Sequence, residues 1–136
     1  ILDSGLDNIN KNYHDKTYLP MLESIASIGN VGYYMRGTPK NSLPKVMKLK
    51  FDGIGIDSSV DLNNALKKAT GYVQGNFDET LLLQDNETIL KYEIQKWLST
   101  IEDPRGWVCG LGHGIIKTTP TKNVKMFVEM VRNYYS

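Results

Sequence analysis

Between Trp107 and Asn123 the chain reads WVCGLGHGIIKTTPTKN. A short apolar strand, Trp107–Leu111, runs into a Gly-x-Gly-His-Gly turn, and Thr-Thr-Pro leads on into a helix. Gly110, Gly112 and Gly114 remove Cβ atoms from the turn, so backbone can approach a ligand closely and can adopt φ > 0. His113 stands in the middle as the one ionisable side chain. Three readings are open at this point: a ligand-facing turn, a tight βα turn with a solvated histidine, and a phosphate cradle. The cradle is the weakest, because the helix begins only near Pro120 and its N-terminal N–H groups lie distant from the glycines.

Other polar groups recur at the ends of apolar strands: Asp3 and Ser4, Arg36, Asp57, Gln74 and Asn76, then His113. In βα barrels the C-terminal strand ends converge on one face, where the chemistry sits; open doubly wound sheets place ligands at the same edge. Arg36 can reach a carboxylate from its strand end. Asp57 and Asn76 are expected to tie loops through side-chain to backbone hydrogen bonds. Cys109, inside a strand, reads as a small buried apolar residue rather than a nucleophile. His14, in a charged helix start, is expected to be solvated, while Trp97 and Phe127 read as core.

The elements that position these groups alternate. Strands are expected at Ile1–Ser4, Val31–Met35, Phe51–Ile56, Tyr72–Gln74 and Trp107–Leu111, short and apolar, and buried on both faces as parallel strands are. A helix over Tyr13–Ile28 carries Leu19, Leu22, Ile25 and Ile28 on one face. Pro20 either kinks it or marks its first turn, and Gly29-Asn30 ends it. Ser42 can cap a short helix to about Leu49 with Pro44 in its first turn. Asp61 caps Leu62–Ala69. A helical turn spans Glu79–Leu83. Glu87–Ile101 buries Leu90, Ile94, Trp97, Leu98 and Ile101. The last helix runs Pro120–Tyr134, with Thr119 as cap, Pro120 at N1, and Val124, Phe127, Val128 and Val131 inward. Five strand–helix repeats argue for an α/β fold with parallel strands. A closed eight-stranded barrel takes about 200 residues or more, so the 136 residues make either a small open sheet or part of a larger barrel.

Composition narrows the function classes. A net charge of +1 gives no electrostatic case for nucleic acid or an acidic membrane. One cysteine excludes an internal disulfide and any multi-cysteine metal site. No apolar run approaches the length of a membrane span. The chain opens on Ile-Leu-Asp-Ser without a methionine, as though cut inside a strand, so targeting is not readable from it.

Four blocks together resemble the C-terminal part of the uroporphyrinogen decarboxylase family. Gly-Leu-Gly-His-Gly at 110–114, followed by Thr119-Pro120 and Asn123-Val124, is similar to the family's Asn-Leu-Gly-His-Gly signature. Val-Gln-Gly-Asn-Phe-Asp at 73–78 is similar to its Leu-Gln-Gly-Asn-Leu-Asp. Phe-Asp-Gly-Ile-Gly-Ile-Asp at 51–57 matches a strand that ends in aspartate. Leu-Asp-Ser at 2–4, with Tyr18-Leu19-Pro20 downstream, matches an earlier strand and helix.

The resemblance implies a partial (β/α)8 TIM barrel, about the last five βα units of eight, as a single segment whose N-terminal part is absent. It implies a homodimer and a cofactor-free, metal-free enzyme of haem and chlorophyll biosynthesis. That enzyme removes the four acetate carboxyl groups of uroporphyrinogen to give coproporphyrinogen and carbon dioxide, in cytoplasm or plastid. His113 corresponds to the signature histidine and Ser4 to a serine, both against substrate carboxylates. The family's arginines, pyrrole-binding aspartate and tyrosine map before Ile1, so no residue here takes a catalytic role, and Arg36 has no clear counterpart. Gly110 replaces an asparagine, and Ser58 replaces a bulky aromatic.

Two other readings compete. Cobalamin- or coenzyme-M-linked methyltransferases share the superfamily but bind zinc through His-x-Cys on one strand and a distant cysteine. Here that strand reads Tyr33-Tyr34-Met35-Arg36, without the ligands. The other reading is a non-catalytic piece, inactive when isolated.

Overall fold

The computed structural model describes residues 1–38 and 41–136. Five strands form one sheet: β1 Leu2–Asp3, β2 Gly32–Met35, β3 Gly53–Ile56, β4 Tyr72–Phe77 and β5 Trp107–Leu111. Every ladder is parallel and joins consecutive strands in the order β1-β2-β3-β4-β5. A doubly wound sheet would reverse its order at a switch point. This order never reverses, which makes the sheet an arc of a βα barrel. β4 runs three residues beyond the expected Gln74, because Asn76 and Phe77 stay in register with Gly110 and Leu111.

The expectation of burial on both faces is corrected. Side chains alternate along a strand, and here one face alone is covered. Tyr33, Met35, Ile54, Ile56 and Val73 are buried beneath the helices. Leu2, Tyr72 and Val108 on the opposite face are 87%, 43% and 44% exposed. β3 reads Gly-Ile-Gly-Ile for the same reason. Its isoleucines face the helices, and its glycines lie under two tyrosine rings. A Cβ on Gly53 would sit 2.1 Å from Tyr72 Cζ, and one on Gly55 would sit 2.9 Å from Tyr34 Cδ2.

The first helical run has three parts: α1 Lys11–Tyr13, a π-helical segment His14–Tyr18, and α2 Leu19–Ala26. Pro20 lacks the N–H that an α-helix needs, and the wider turn before it, with Leu19 N bonded to His14 O, accommodates the loss. His14, which opens this turn, is buried rather than solvated as expected. Its neighbour Asp15 takes up the cations instead, accepting from Lys11 and Lys45 at 2.6 and 2.8 Å. Ser42 does not cap α3 (Leu43–Val46); its Oγ donates to Asp15 Oδ1 at 2.6 Å. Ile28 lies beyond the helix end and is exposed, while Gly29 and Asn30 take the left-handed conformation expected of them.

The remaining helices are α4 Leu62–Lys68, capped by Asp61, α5 Glu87–Ser99, capped by Asn86, and α6 Thr121–Tyr134. A 3-10 turn, Glu79–Leu83, precedes α5 and is capped by Asp78. Pro120 is itself the residue before α6, in extended conformation. Thr119 therefore lies too far back to cap, and its hydroxyl is buried without a hydrogen-bond partner among the described residues. Val128 is exposed on α6; the inward positions are Asn123 and Phe127, with Val124 and Val131 half-buried. Asn123 Nδ2 donates to Leu82 O and Gln84 O at 2.8 and 2.9 Å, which fixes α6 against the 3-10 turn. No helix among the described residues is long and apolar enough to cross a membrane.

Candidate functional site

Parallel pairing brings the C-terminal ends of β2, β3, β4 and β5 to one edge. There a cavity of ≈ 210 Å³ is lined by Arg36, Asp57, Ser58, Ser59, Glu79 and His113, with backbone from Gly37 and Gly112. Arg36 and His113 thus meet on one cavity, although 77 positions apart in sequence. Ser4 is not among the lining residues. It follows β1 directly and is exposed, next to the strand end that carries Arg36, whose N–H donates to Asp3 O at 2.9 Å. A larger cavity of ≈ 500 Å³ opens between α4 and α5 around Trp97 and contains neither Arg36 nor His113.

The edge is built by side-chain to backbone bonds. Asp57 accepts from Gly37 N at 2.9 Å and from Ser59 N at 2.8 Å, and so joins the turn after β2 to the turn after β3. Asn76 Nδ2 donates to Asp57 O and Val60 O at 3.0 and 2.7 Å. These are the loop ties expected of both residues. The glycine turn is held differently from the expectation. None of Gly110, Gly112 and Gly114 has positive φ; the glycines that do are Gly29, Gly37, Gly75 and Gly106. Gly112 is required by proximity instead, since a Cβ there would lie 2.5 Å from Ser58 N. Its N–H donates to Phe77 O at 2.7 Å, extending the β4–β5 ladder by one residue. Six residues separate Gly114 from α6, so the helix N-terminus does not cradle the glycines.

Tyr34 is the residue that sequence reasoning passed over. Its hydroxyl donates to Gly112 O at 2.8 Å. Its ring lies 6.3 Å from the His113 ring, edge-on. Burial, then the negative charge of Asp57, push its phenol above the usual range. The available signal was the pleat: Tyr34 stands two residues before Arg36 and shares its face. Ser58, Ser59 and Glu79 were also not singled out as cavity residues.

Asp3 is occupied within the fold, accepting from the hydroxyls of Tyr18 and Tyr33. Burial and then the Asp3 carboxylate push Tyr18 up to about 12, and Tyr33 rises for the same reasons. Cys109 is half-buried, and burial pushes its thiol up to about 11, so it is protonated and a poor nucleophile at neutral pH. No group of three or more His, Cys, Asp or Glu among the described residues could hold a metal ion. The edge brings both signs of charge to one small polar cavity: the Arg36 guanidinium, with no ion pair among the described residues, and the Asp57 and Glu79 carboxylates, beside the His113 imidazole and the Ser58 hydroxyl, while the Ser59 hydroxyl is already donated to Asp57.

Residues 2–134 match the family model described as Uroporphyrinogen decarboxylase (URO-D). The uroporphyrinogen decarboxylase of Orientia tsutsugamushi (strain Ikeda) is 37% identical over 86 residues, which is 62% of this chain and 25% of the relative. That of Anaeromyxobacter sp. (strain Fw109-5) is 29% identical over 140 aligned positions, 98% of this chain and 40% of the relative. The chain thus spans between a quarter and two fifths of the length of these curated relatives. Among solved structures, a methyltransferase from Methanosarcina mazei superposes on all of this chain and 42% of its own, with a TM-score of 0.77 at 20% identity, a likeness of fold. On the match of residues 2–134, the chain belongs to the uroporphyrinogen decarboxylase family, with five parallel βα units forming part of a TIM barrel.

Proposed function

We propose that this chain forms the tetrapyrrole-carboxylate side of a uroporphyrinogen decarboxylase. The observation that carries the reading is the meeting of Arg36 and His113 on one strand-end cavity, within a chain that matches the family from residue 2 to 134. The activity proposed for the whole protein is loss of the four acetate carboxyl groups of uroporphyrinogen, giving coproporphyrinogen and carbon dioxide. Breaking each carbon–carbon bond leaves an electron pair on the methylene carbon. A protonated pyrrole of the substrate itself can take up that pair until a proton added at the same carbon makes the methyl group of the product, and no metal or organic cofactor is then needed.

In this reading the protein holds a polyanionic substrate and balances charge as it develops. Arg36 supplies a permanent planar cation for a carboxylate. The His113 ring donates an N–H to a second carboxylate, whether charged or neutral. Ser4 donates its hydroxyl from the neighbouring strand end. Asp57 is already occupied by the Gly37 and Ser59 N–H groups and serves the scaffold. The same family reading carries a homodimer, located in cytoplasm or plastid.

The test is anaerobic titration of uroporphyrinogen and coproporphyrinogen into the wild-type chain, His113→Ala and Arg36→Ala. Each substitution is expected to weaken binding about tenfold, as loss of a charge-assisted hydrogen bond does. Equal binding by all three proteins, or none by the wild type, would reject the assignment. The methyltransferase reading has only the fold likeness behind it, since β2 and the residue after it read Tyr33-Tyr34-Met35-Arg36 where the zinc ligands would stand.

A further inference from the structure

We propose that Tyr34 is the positioning residue for His113, fixing the imidazole over the cavity through its hydrogen bond to the Gly112 carbonyl. The inference rests on the site reading above and deepens it. His113 sits in a turn with little else to hold it. The Gly112 N–H is bonded to Phe77 O, and among the described residues the next backbone bond downstream is Thr119 N to Ile116 O. Gly114 has open space around it, and Ile115 is exposed. The peptide that joins Gly112 to His113 therefore has one fixed partner on its carbonyl side, the Tyr34 hydroxyl.

Tyr34 is itself well anchored. It stands in β2, paired to β3, and packs against Gly55, where a Cβ would come within 2.9 Å of Cδ2. From there the phenol crosses toward β5 and meets Gly112 at 2.8 Å, while its ring stands in a T-shaped arrangement with the His113 ring. Strand β2 and the residue that follows it thus contribute His113 indirectly, through Tyr34, and Arg36 directly. A phenylalanine at position 34 could cover Gly55 and touch His113, but it could not hold the carbonyl. The hydroxyl is the informative group.

The test is Tyr34→Phe in the 136-residue chain, with two readouts. The first needs no ligand. The His113 imidazole resonances are expected to move and broaden in Tyr34→Phe, while those of His14, buried elsewhere, stay in place. Unchanged His113 resonances would overturn the proposal.

The second is a double-mutant cycle on coproporphyrinogen binding. Tyr34→Phe should weaken binding about two- to tenfold in the wild-type background, the range for one neutral hydrogen bond, and should have no effect in His113→Ala. A merely structural tyrosine would give equal losses in both backgrounds, and that result would also overturn the proposal. If the resonances move as expected but the wild type binds no tetrapyrrole, the assigned function fails and the positioning role of Tyr34 stands.

Discussion

The three glycines around His113 look equivalent in sequence, and the structure separates them sharply. Consider each replaced by alanine. On Gly112 the new Cβ would lie 2.5 Å from Ser58 N and 3.2 Å from Asp57 C. A relaxed contact needs about 3.5 Å, so the Asp57–Ser58 backbone must retreat by roughly 1 Å. Overpacking of this kind costs about 1–3 kcal/mol. On Gly114 the Cβ meets nothing within 4 Å, and on Gly110 its nearest neighbour is Gln74 Cγ at 3.6 Å, an ordinary contact. All three lack positive φ, so each alanine recovers about 0.4–1 kcal/mol by stiffening the unfolded chain. That gain is common to the three and cancels when variants are compared. Gly112→Ala should therefore be about 1–3 kcal/mol less stable than Gly114→Ala, with Gly110→Ala close to Gly114→Ala. Urea denaturation reads this as a midpoint lowered by about 1 M for Gly112→Ala, at unchanged slope. Because Asp57 also holds Gly37, the retreat reaches the Arg36 side of the cavity. Midpoints for Gly112→Ala and Gly114→Ala that agree within error would refute the claim that close approach is what requires this glycine.

Two further predictions concern the scaffold. Asn123→Ala should cost about 2 kcal/mol in denaturant unfolding, because it leaves Leu82 O and Gln84 O without their donor inside the fold; a loss under about 0.5 kcal/mol would count against it. Asp15, held well below the usual carboxylate range by Lys11, then Lys45 and Ser42, stabilises the ionised fold. Its folded-state value lies below the unfolded one, so its contribution is complete above about pH 5 and fades as pH falls through and below about pH 4. The stability gap between wild type and Asp15→Asn should be constant from neutral pH to about pH 5 and should close in acid; a gap that widens in acid would contradict the sign.

Much of this arrangement was legible in the sequence, for physical reasons that differ by element. The strands announced themselves by apolar runs bounded by glycine and aspartate, and Asp61 revealed its cap because its acceptor is local. Arg36, Asp57 and His113 could be expected at a common edge because parallel strands share one direction. Other features depend on contacts far away in the chain. His14 looked solvated beside Asp15 and Lys16, yet it is buried at the start of the π turn. The open face of the sheet was invisible because a strand of valine, tyrosine and glycine reads alike with one face covered or two. Thr119 was a sound cap by residue type, displaced by one position when Pro120 took the extended conformation before α6. Tyr34 escaped notice because its partner, Gly112, is 78 positions away.

The unreversed strand order also bears on how the molecule comes together. Each ladder links a strand to the one just before it in the chain. A growing polypeptide can therefore extend its sheet in the direction of synthesis, every new strand finding its template already laid down. Loop closure stays short at each of these four ladders. The bond between Tyr34 and Gly112 is different, since one partner arrives with the second strand and the other only after the fifth. The turn that carries His113 is consequently set only once β2 and β5 are both in the sheet beneath it.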